Sequence, residues 1–161
     1  MKAVSAARLL LEQLADKRYT LVLAESCTAG LVSDLITRIS GASAVLWGSY
    51  VCYSPSAKQR MLGLDEGTLK QYGLVSRETA REMAFHALNQ SGASIAASVT
   101  GIAGPLGDGG DSPVGLVWTA VAHLGMVREK KFQFEGTRSE IRMQAAAAVL
   151  EELLDFIQRS A

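Results

Sequence analysis

The sequence predicts a single α/β domain of three layers, α/β/α, with a mixed sheet in the middle. Segments typical of strands alternate with segments typical of helices along most of the chain, which favours parallel strands joined by helices. Two strand-like segments on either side of Gly125 then predict a hairpin, and therefore an antiparallel part of the sheet. A chain of 161 residues with 48% hydrophobic content suits one core, so we assign residues 1–161 to one domain.

The first half of the chain alternates between helical and extended segments. Apolar residues recur at helical spacing over 4–14, and the continuous apolar run at 19–24 indicates a buried strand. A second helical pattern over 31–39 ends at a Ser-Gly pair, and the β-branched and aromatic residues of 44–53 indicate the next strand. Proline is favoured at the first position of a helix, so the proline that opens 55–62 predicts a short helix there.

The second half begins with a helix that Ser76 is placed to cap and ends with a long alanine-rich helix. A segment this rich in glycine cannot be regular structure, so GIAGPLGDGGDSP is expected to be a loop. The elements expected here are a helix ending near residue 92, a strand at 93–100, the loop at 101–113, strands at 114–124 and 127–134, and a helix at 137–159.

Charge and cysteine content narrow the classes of partner and compartment. Sixteen basic and sixteen acidic residues cancel, so we expect neither nucleic acid nor a membrane surface as a partner. Residues 1–18 have the pattern of an amphipathic helix interrupted by charges and not of a signal peptide, and no stretch reaches the roughly 18 apolar residues of a membrane span. With only two cysteines, we expect a protein of the reducing cytoplasm.

The turn ESCTAG at 25–30 joins a strand to a helix and carries three side chains that can act as nucleophiles. Free backbone N–H groups and the helix dipole favour negative charge at such a turn, so an anion is expected to bind there. The anion is either a phosphate or the oxyanion formed when a nucleophile of the turn attacks a carbonyl. The structural alternative is that the serine or threonine only caps the helix, since both are preferred N-cap residues.

A nucleophile in this turn needs a base, and histidine is scarce. His86 lies mid-helix and His123 at a strand end, so neither Ser-His-Asp nor Cys-His chemistry has a clear base, and Cys27 is expected to be a small buried hydrophobe. A neutral lysine can also accept the proton of a serine hydroxyl. Lys58 stands out among the six lysines because it follows an apolar strand and begins a helix. The alternative for this position is an ordinary surface lysine.

Five motifs occur in an order and spacing that resemble the CinA C-terminal domain family, whose enzymatic members are nicotinamide mononucleotide amidohydrolases of the PncC type. The motifs are AESCTAG, YVCYSPSAKQRMLGL, GLVS, SVTGIAGP and PVGLVW. The resemblance runs from about residue 9 to 156 and is closest to the stand-alone form of the domain. It implies an α/β/α fold, a homodimer, a small nucleotide as substrate, no metal or organic cofactor, and hydrolysis of the carboxamide of nicotinamide mononucleotide to nicotinate mononucleotide and ammonia.

The resemblance also implies which residues react. The family's nucleophile is the serine of the turn, here Ser26, and a tyrosine and a lysine from the YS-x-x-x-K segment correspond to Tyr53 and Lys58. This sequence departs from the family pattern at Ala29, where the first glycine of TGG is common, and at Pro55, where asparagine is usual. An alanine disturbs a turn that needs a positive φ, and a proline lacks an N–H group.

In the implied reaction, Ser26 attacks the carboxamide carbon and Lys58 takes its proton, either directly or through Tyr53. The backbone N–H groups of Thr28, Ala29 and Gly30 are expected to hold the oxyanion. The loop at 101–113 is the first candidate for phosphate and ribose, with Thr100 and Gly101 as the expected contacts, and an unliganded turn is the alternative.

Arg138, in the first turn of the last helix, is expected to reach a phosphate, with a solvent-exposed position as the alternative. The alternative for the whole chain is a non-catalytic, CinA-like nucleotide-binding protein with a regulatory role.

Overall fold

Five strands form one mixed sheet in the order β2-β1-β3-β4-β5 in the computed structural model, which describes residues 2–159. β1 pairs in parallel with both β2 and β3, whereas β4 is antiparallel to β3 and to β5. The mixed sheet and the late hairpin are therefore confirmed. The strands are β1 (Leu21–Glu25), β2 (Leu46–Val51), β3 (Ile95–Gly101), β4 (Leu116–His123) and β5 (Met126–Gln133).

Helices cover both faces of the sheet, which confirms the three-layer α/β/α architecture. Side chains alternate between the two faces of a strand, and in β1 Leu21 and Leu23 pack on one side while Val22 and Ala24 pack on the other. The first core includes buried residues of α1, α2 and α6, and the second includes those of α3, α4 and α5. The helices are α1 (Lys2–Asp16), α2 (Leu31–Thr37), α3 (Pro55–Leu62), α4 (Glu66–Tyr72), α5 (Arg77–Ser91) and α6 (Arg138–Arg159).

Two local elements differ from the sequence prediction. Residues 42–44 form a single 3-10 turn, and β2 starts at Leu46, because the chain must turn after α2 before it can join the sheet edge. Helix α4 was not predicted. It buries only Leu69 and therefore lacks an apolar repeat, although Asp65 caps it by accepting a hydrogen bond from the Thr68 N–H at 2.9 Å.

The segments that follow β1 and β2 leave the sheet on opposite faces. After β1 the chain runs through α2 on one face to β2, and after β2 it crosses by α3, α4 and α5 on the other face to β3. The carboxyl ends of these three parallel strands therefore meet at one edge, with a crevice between the outgoing segments. In open α/β sheets, ligands bind in such a crevice. The predicted site residues follow β1 and β2, end β3 or lie at the start of α6.

Candidate active site

Ser26 and Lys58 meet at the carboxyl edge of the sheet. Lys58 Nζ donates a hydrogen bond to Ser26 Oγ at 2.7 Å and a second to the Cys52 carbonyl oxygen at 3.1 Å. The Lys58 side chain is 1% exposed and Ser26 is 7% exposed. Lysine is rarely buried without a functional or electrostatic reason. The structure thus brings Ser26 into contact with Lys58, the residues expected to act as nucleophile and base, and the surface alternative for Lys58 is wrong.

The local sequence explains how Lys58 reaches the serine. Pro55 occupies the first turn of α3, and Ser54 caps the helix by accepting a hydrogen bond from the Ala57 N–H at 3.0 Å. Lys58 comes one turn later, on the same buried face as Leu62. Its long side chain therefore turns back over the end of β2 toward the turn that follows β1. The proline that departs from the family pattern fits this helix start without strain.

Burial lowers the pKa of Lys58 below its ordinary value of 10.5. The desolvated interior penalises the charged ammonium, and no carboxylate of residues 2–159 lies within 4.0 Å of Nζ to offset that penalty. Only the thiols of Cys52 and Cys27 act in the opposite direction. A lysine in this setting is suited to act as a neutral amine that accepts a proton.

The lowered pKa also makes stability depend on pH. The unfolded chain binds more protons than the folded chain between the lowered pKa and 10.5, so the free energy of unfolding should rise with pH through that window. Urea unfolding of wild type and of Lys58→Met, each at about pH 8 and about pH 10, isolates the contribution of Lys58. The other titratable groups are present in both proteins, so their contributions cancel in the comparison. The free energy of unfolding of wild type minus that of Lys58→Met should increase as pH rises. A difference that stays constant or moves the other way would contradict a neutral buried amine.

Cys27 is buried beside the pair and is poorly suited to act as a nucleophile. Burial raises the pKa of its thiol to about 11, so the thiolate is scarce at neutral pH. The side chain is 6% exposed and packs in the hydrophobic core. The expectation of a small buried hydrophobe is confirmed.

The carboxylate of Glu25 occupies the amino end of α2. The side chain is fully buried, and its two oxygens accept six hydrogen bonds, which satisfies both the charge and the free donors of the helix end. The donors are the N–H groups of Gly30, Val32 and Ser33 and the hydroxyls of Thr28, Ser33 and Ser49. The anion expected at this turn is therefore part of the protein.

This arrangement corrects the prediction for the oxyanion. The Gly30 N–H donates to Glu25 at 3.0 Å, and the Ala29 N–H donates to the Ser26 carbonyl at 3.1 Å, so neither is free to bind a ligand. Within residues 2–159 the N–H groups of Cys27 and Thr28 donate to no other residue. Ala29 has a φ of 49°, a left-handed conformation that glycine adopts more easily, yet the turn is intact.

Arg142 is a site residue that the sequence did not indicate. From α6 its Nε donates to the Cys27 carbonyl at 3.0 Å and its Nη2 to the Thr28 carbonyl at 2.8 Å. Two parallel hydrogen bonds from a guanidinium fix the orientation of the peptides that they hold. Because the carbonyl of the Cys27–Thr28 peptide points toward Arg142, its N–H points away from that side chain. Arg142 is thus placed to position the turn without contacting Ser26.

Replacing Arg142 with glutamine is expected to lower kcat for the reaction proposed below by about 10- to 100-fold, because a small displacement of the nucleophile carries a cost of this size. KM should change by less than about threefold, since Arg142 contacts only the turn. Steady-state kinetics with Arg159→Gln, an exposed position on the same helix, provides the matched control. A kcat within twofold of wild type would remove Arg142 from the site.

A cavity of about 210 Å³ opens above the serine and lysine. Tyr53 and Arg138 stand at its wall, and the Tyr53 hydroxyl accepts a hydrogen bond from Arg138 Nη2 at 2.8 Å. Arg138 Nη1 donates to the Gly104 carbonyl at 2.7 Å. The glycine-rich loop lines the cavity with Gly104 and Asp108 among other residues. The structure therefore places Arg138 against the loop and the tyrosine, and Tyr53 is 57% exposed.

Thr100 and Gly101 line the same cavity at the end of β3. The Thr100 hydroxyl donates to the Leu74 carbonyl at 2.8 Å, which commits this side chain to the protein. A side chain at Gly101 would press on Val117, so the close packing needs glycine here. These two residues shape the wall of the cavity at the end of β3.

Two kinds of feature are absent from residues 2–159. No group of three or more histidine, cysteine or acidic side chains in this range is arranged to hold a metal ion. No helix in the same range is both long and apolar enough to cross a membrane.

Together, fold and site define an α/β/α protein with a buried serine–lysine pair at the carboxyl edge of its parallel strands. The chain belongs to the CinA C-terminal domain family, whose model matches residues 3–157. It is 45% identical over 144 residues to the nicotinamide-nucleotide amidohydrolase PncC of Enterobacter agglomerans, and the alignment covers 88% of each chain.

Other relatives are longer proteins or solved structures. A CinA-like protein of Syntrophomonas wolfei is 46% identical over 140 residues, which covers 87% of this chain and 34% of that protein. The chain thus spans about a third of that relative. The competence/damage inducible protein CihA of Agrobacterium tumefaciens has the same fold, with a TM-score of 0.93 at 38% identity over 96% of this chain and 95% of that chain. A CinA superfamily protein of Klebsiella pneumoniae has a TM-score of 0.95 at 26% identity over 98% of each chain.

Proposed function

We propose that this chain hydrolyses the carboxamide of nicotinamide mononucleotide to nicotinate mononucleotide and ammonia. The observation that carries the proposal is the buried hydrogen bond of 2.7 Å between Lys58 Nζ and Ser26 Oγ at the base of an open cavity. A serine with an adjacent base is the arrangement of covalent acyl-transfer catalysis. The reaction and substrate come from the relative named a nicotinamide-nucleotide amidohydrolase, which aligns over 88% of each chain.

The first half of the reaction forms an acyl-enzyme. Neutral Lys58 accepts the hydroxyl proton of Ser26 as Ser26 Oγ attacks the carboxamide carbon, which gives a tetrahedral intermediate with a negative oxygen. The carbonyl of Cys52 holds the amine in line by accepting its second hydrogen bond. When the intermediate collapses, the C–N bond breaks and Lys58 returns the proton to the leaving nitrogen, so ammonia departs and the acyl group stays on Ser26.

The second half hydrolyses the ester on Ser26. Lys58, neutral again, accepts a proton from water as the water oxygen attacks the acyl carbon, and it then protonates Ser26 Oγ as the ester bond breaks. Backbone N–H groups of Cys27 and Thr28 are the donors of the turn left to stabilise the oxyanion in both halves. In comparable hydrolases one such donor lowers the activation barrier by roughly 3 to 4 kcal/mol.

Arg138 is the proposed partner of the substrate phosphate, because it is a cation on the wall of the cavity. We further propose that the active form is a homodimer in the cytoplasm. Light scattering on the purified chain measures the first of these two points, and a mass of one chain at working concentration would contradict it.

The direct test is to incubate the purified chain with nicotinamide mononucleotide, to measure ammonia and to identify the nucleotide product by chromatography. Added hydroxylamine competes with water for an acyl-enzyme and should divert product to the hydroxamate in proportion to its concentration. Product formation without hydroxamate would contradict a covalent intermediate.

The binding-protein alternative predicts a different outcome of the same experiment. Two relatives carry competence-damage names that state no reaction. A chain that only binds the nucleotide would unfold at a higher temperature in its presence and release no ammonia. That pair of results would replace the hydrolase by a nucleotide-binding function.

A further inference from the structure

Glu25 is a buried carboxylate that takes no part in the proton transfers proposed above. Its side chain is fully buried, and within residues 2–159 it forms no ion pair with a lysine, arginine or histidine. A charge without a counter-ion is costly to bury unless hydrogen bonds replace the lost water. Six hydrogen bonds to its two oxygens do so here. Because hydrogen bonds to an ionised acceptor are stronger than neutral ones, this carboxylate holds its donors firmly.

The six donors include groups of the turn that carries the nucleophile. A helix is usually capped by the side chain of its own N-cap residue, but the N-cap of α2 is Gly30, which has no side chain to offer. Glu25 caps the helix instead, because one of its oxygens accepts a hydrogen bond from the Gly30 N–H at 3.0 Å. The same oxygen accepts a hydrogen bond from the Thr28 hydroxyl at 2.7 Å. One side chain thus spans the turn from its first residue to its last and fixes the backbone on both sides of Ser26.

Glu25 also fixes the turn against β2, the strand that leads to the base. Its other carboxylate oxygen accepts a hydrogen bond from the Ser49 hydroxyl at 3.3 Å, and its backbone carbonyl accepts one from the Cys52 N–H at 2.8 Å. The carbonyl of Cys52 is in turn the second acceptor for Lys58 Nζ, at 3.1 Å. The residue that precedes Ser26 therefore connects the segment of the nucleophile with the segment that orients the amine.

We propose that Glu25 is a positioning residue of the Ser26–Lys58 pair, an internal anion that holds the nucleophile in register with its base. This inference rests on the proposed function and deepens it. Glu25 does not line the cavity, so it acts on the reaction through the turn and not by contact with substrate. The hydrogen bond of 2.7 Å between Ser26 Oγ and Lys58 Nζ tolerates little displacement. A displacement of about 1 Å in a reacting group lowers the rate by about 100-fold.

The first test removes the carboxylate and supplies another. Glu25→Ala should lower kcat for nicotinamide mononucleotide by about 100-fold and change KM by less than about threefold, because the turn moves while the cavity wall stays. The variant leaves the donors around an empty space, so added formate should bind there and raise kcat by about tenfold or more. Sodium chloride at equal ionic strength controls for salt. Glu12→Ala, at an exposed position on α1, should lose no activity and show no response to formate.

The second test leaves Glu25 in place and removes one of its donors, which keeps the inference testable if Glu25→Ala does not fold. Thr28→Val has nearly the same size but lacks the hydroxyl, and it should lower kcat by about tenfold with KM unchanged. Thr28→Ser restores the hydroxyl and should recover most of the lost rate. Thr37→Val is the matched control, because this exposed threonine of α2 donates to the Asp34 carbonyl and not to Glu25. Circular dichroism establishes that each variant is folded at the assay temperature.

A fluorophosphonate probe separates this inference from the choice of substrate. Ser26 Oγ attacks the phosphorus of the probe, the P–F bond breaks, fluoride leaves and Lys58 accepts the hydroxyl proton. Intact mass measures the rate of this modification, which needs a positioned serine and base but no nucleotide. The variants should slow it by the same factors as kcat. If wild type is modified but releases no ammonia, the proposed function fails, and the modification rates alone decide the role of Glu25.

Three outcomes would overturn the inference. The first is a folded Glu25→Ala or Thr28→Val with rates within twofold of wild type in both assays. The second is a loss of rate in folded Glu25→Ala that formate leaves unchanged, because the anion would then not be what positions the turn. The third is a wild type that reacts in neither assay, since it would contain no activated serine to position.

Discussion

Lys58→Met is expected to reduce kcat for carboxamide hydrolysis by about 1,000-fold or more while the chain stays folded. A positioned general base contributes roughly 100- to 10,000-fold to such a reaction, and here the same amine also protonates the leaving group. Methionine has a similar length and is apolar, so it fits a position that is 1% exposed without leaving a cavity. Ammonia release gives kcat, and circular dichroism with thermal unfolding reports the fold.

Two further variants test whether Lys58 acts as a base or only as a positive charge. Lys58→Arg keeps the charge but cannot become neutral, so it should be as inactive as Lys58→Met. Lys70→Met removes an exposed lysine that pairs with Glu66 on α4 and should retain wild-type kcat. In wild type, kcat/KM should rise with pH as Lys58 loses its proton, with a midpoint below 10.5. Activity of Lys58→Met within about tenfold of wild type would place the base elsewhere.

Ser26→Ala is expected to lower kcat by more than Lys58→Met does. Removal of a serine nucleophile lowers kcat by about 10⁶-fold in well-studied hydrolases, so turnover should fall below detection. Cys27→Ala provides the neighbouring control and should stay within about threefold of wild type, because its thiol has a pKa of about 11 and packs in the core. An inactive Cys27→Ala together with an active Ser26→Ala would make the thiol the nucleophile.

The sequence predicted those parts of the structure that depend on local patterns of apolar residues. Apolar runs and helical spacing identified all five strands and every helix that has a repeated buried face. Elimination of the histidines led to Lys58, and the family motifs led to the same residue. Helix α4 escaped prediction because one buried leucine makes no periodic pattern.

The parts of the site that escaped prediction depend on contacts between distant segments. Arg142 and Cys27 lie 115 positions apart, and nothing near Arg142 in the sequence distinguishes it from a surface arginine. The role of Glu25 was also missed, since a carboxylate just before a helix is common. Only the folded turn shows that the Glu25 carboxylate occupies the position where the sequence predicted a bound anion.

In the function proposed above, the buried Ser26–Lys58 pair hydrolyses the carboxamide of a nucleotide. Ammonia release from nicotinamide mononucleotide, measured for wild type and Ser26→Ala at equal concentration, tests it most directly. Steady release by wild type with none above background from the variant is the predicted result. Equal release by both chains, or none from a folded wild type, would contradict the claim.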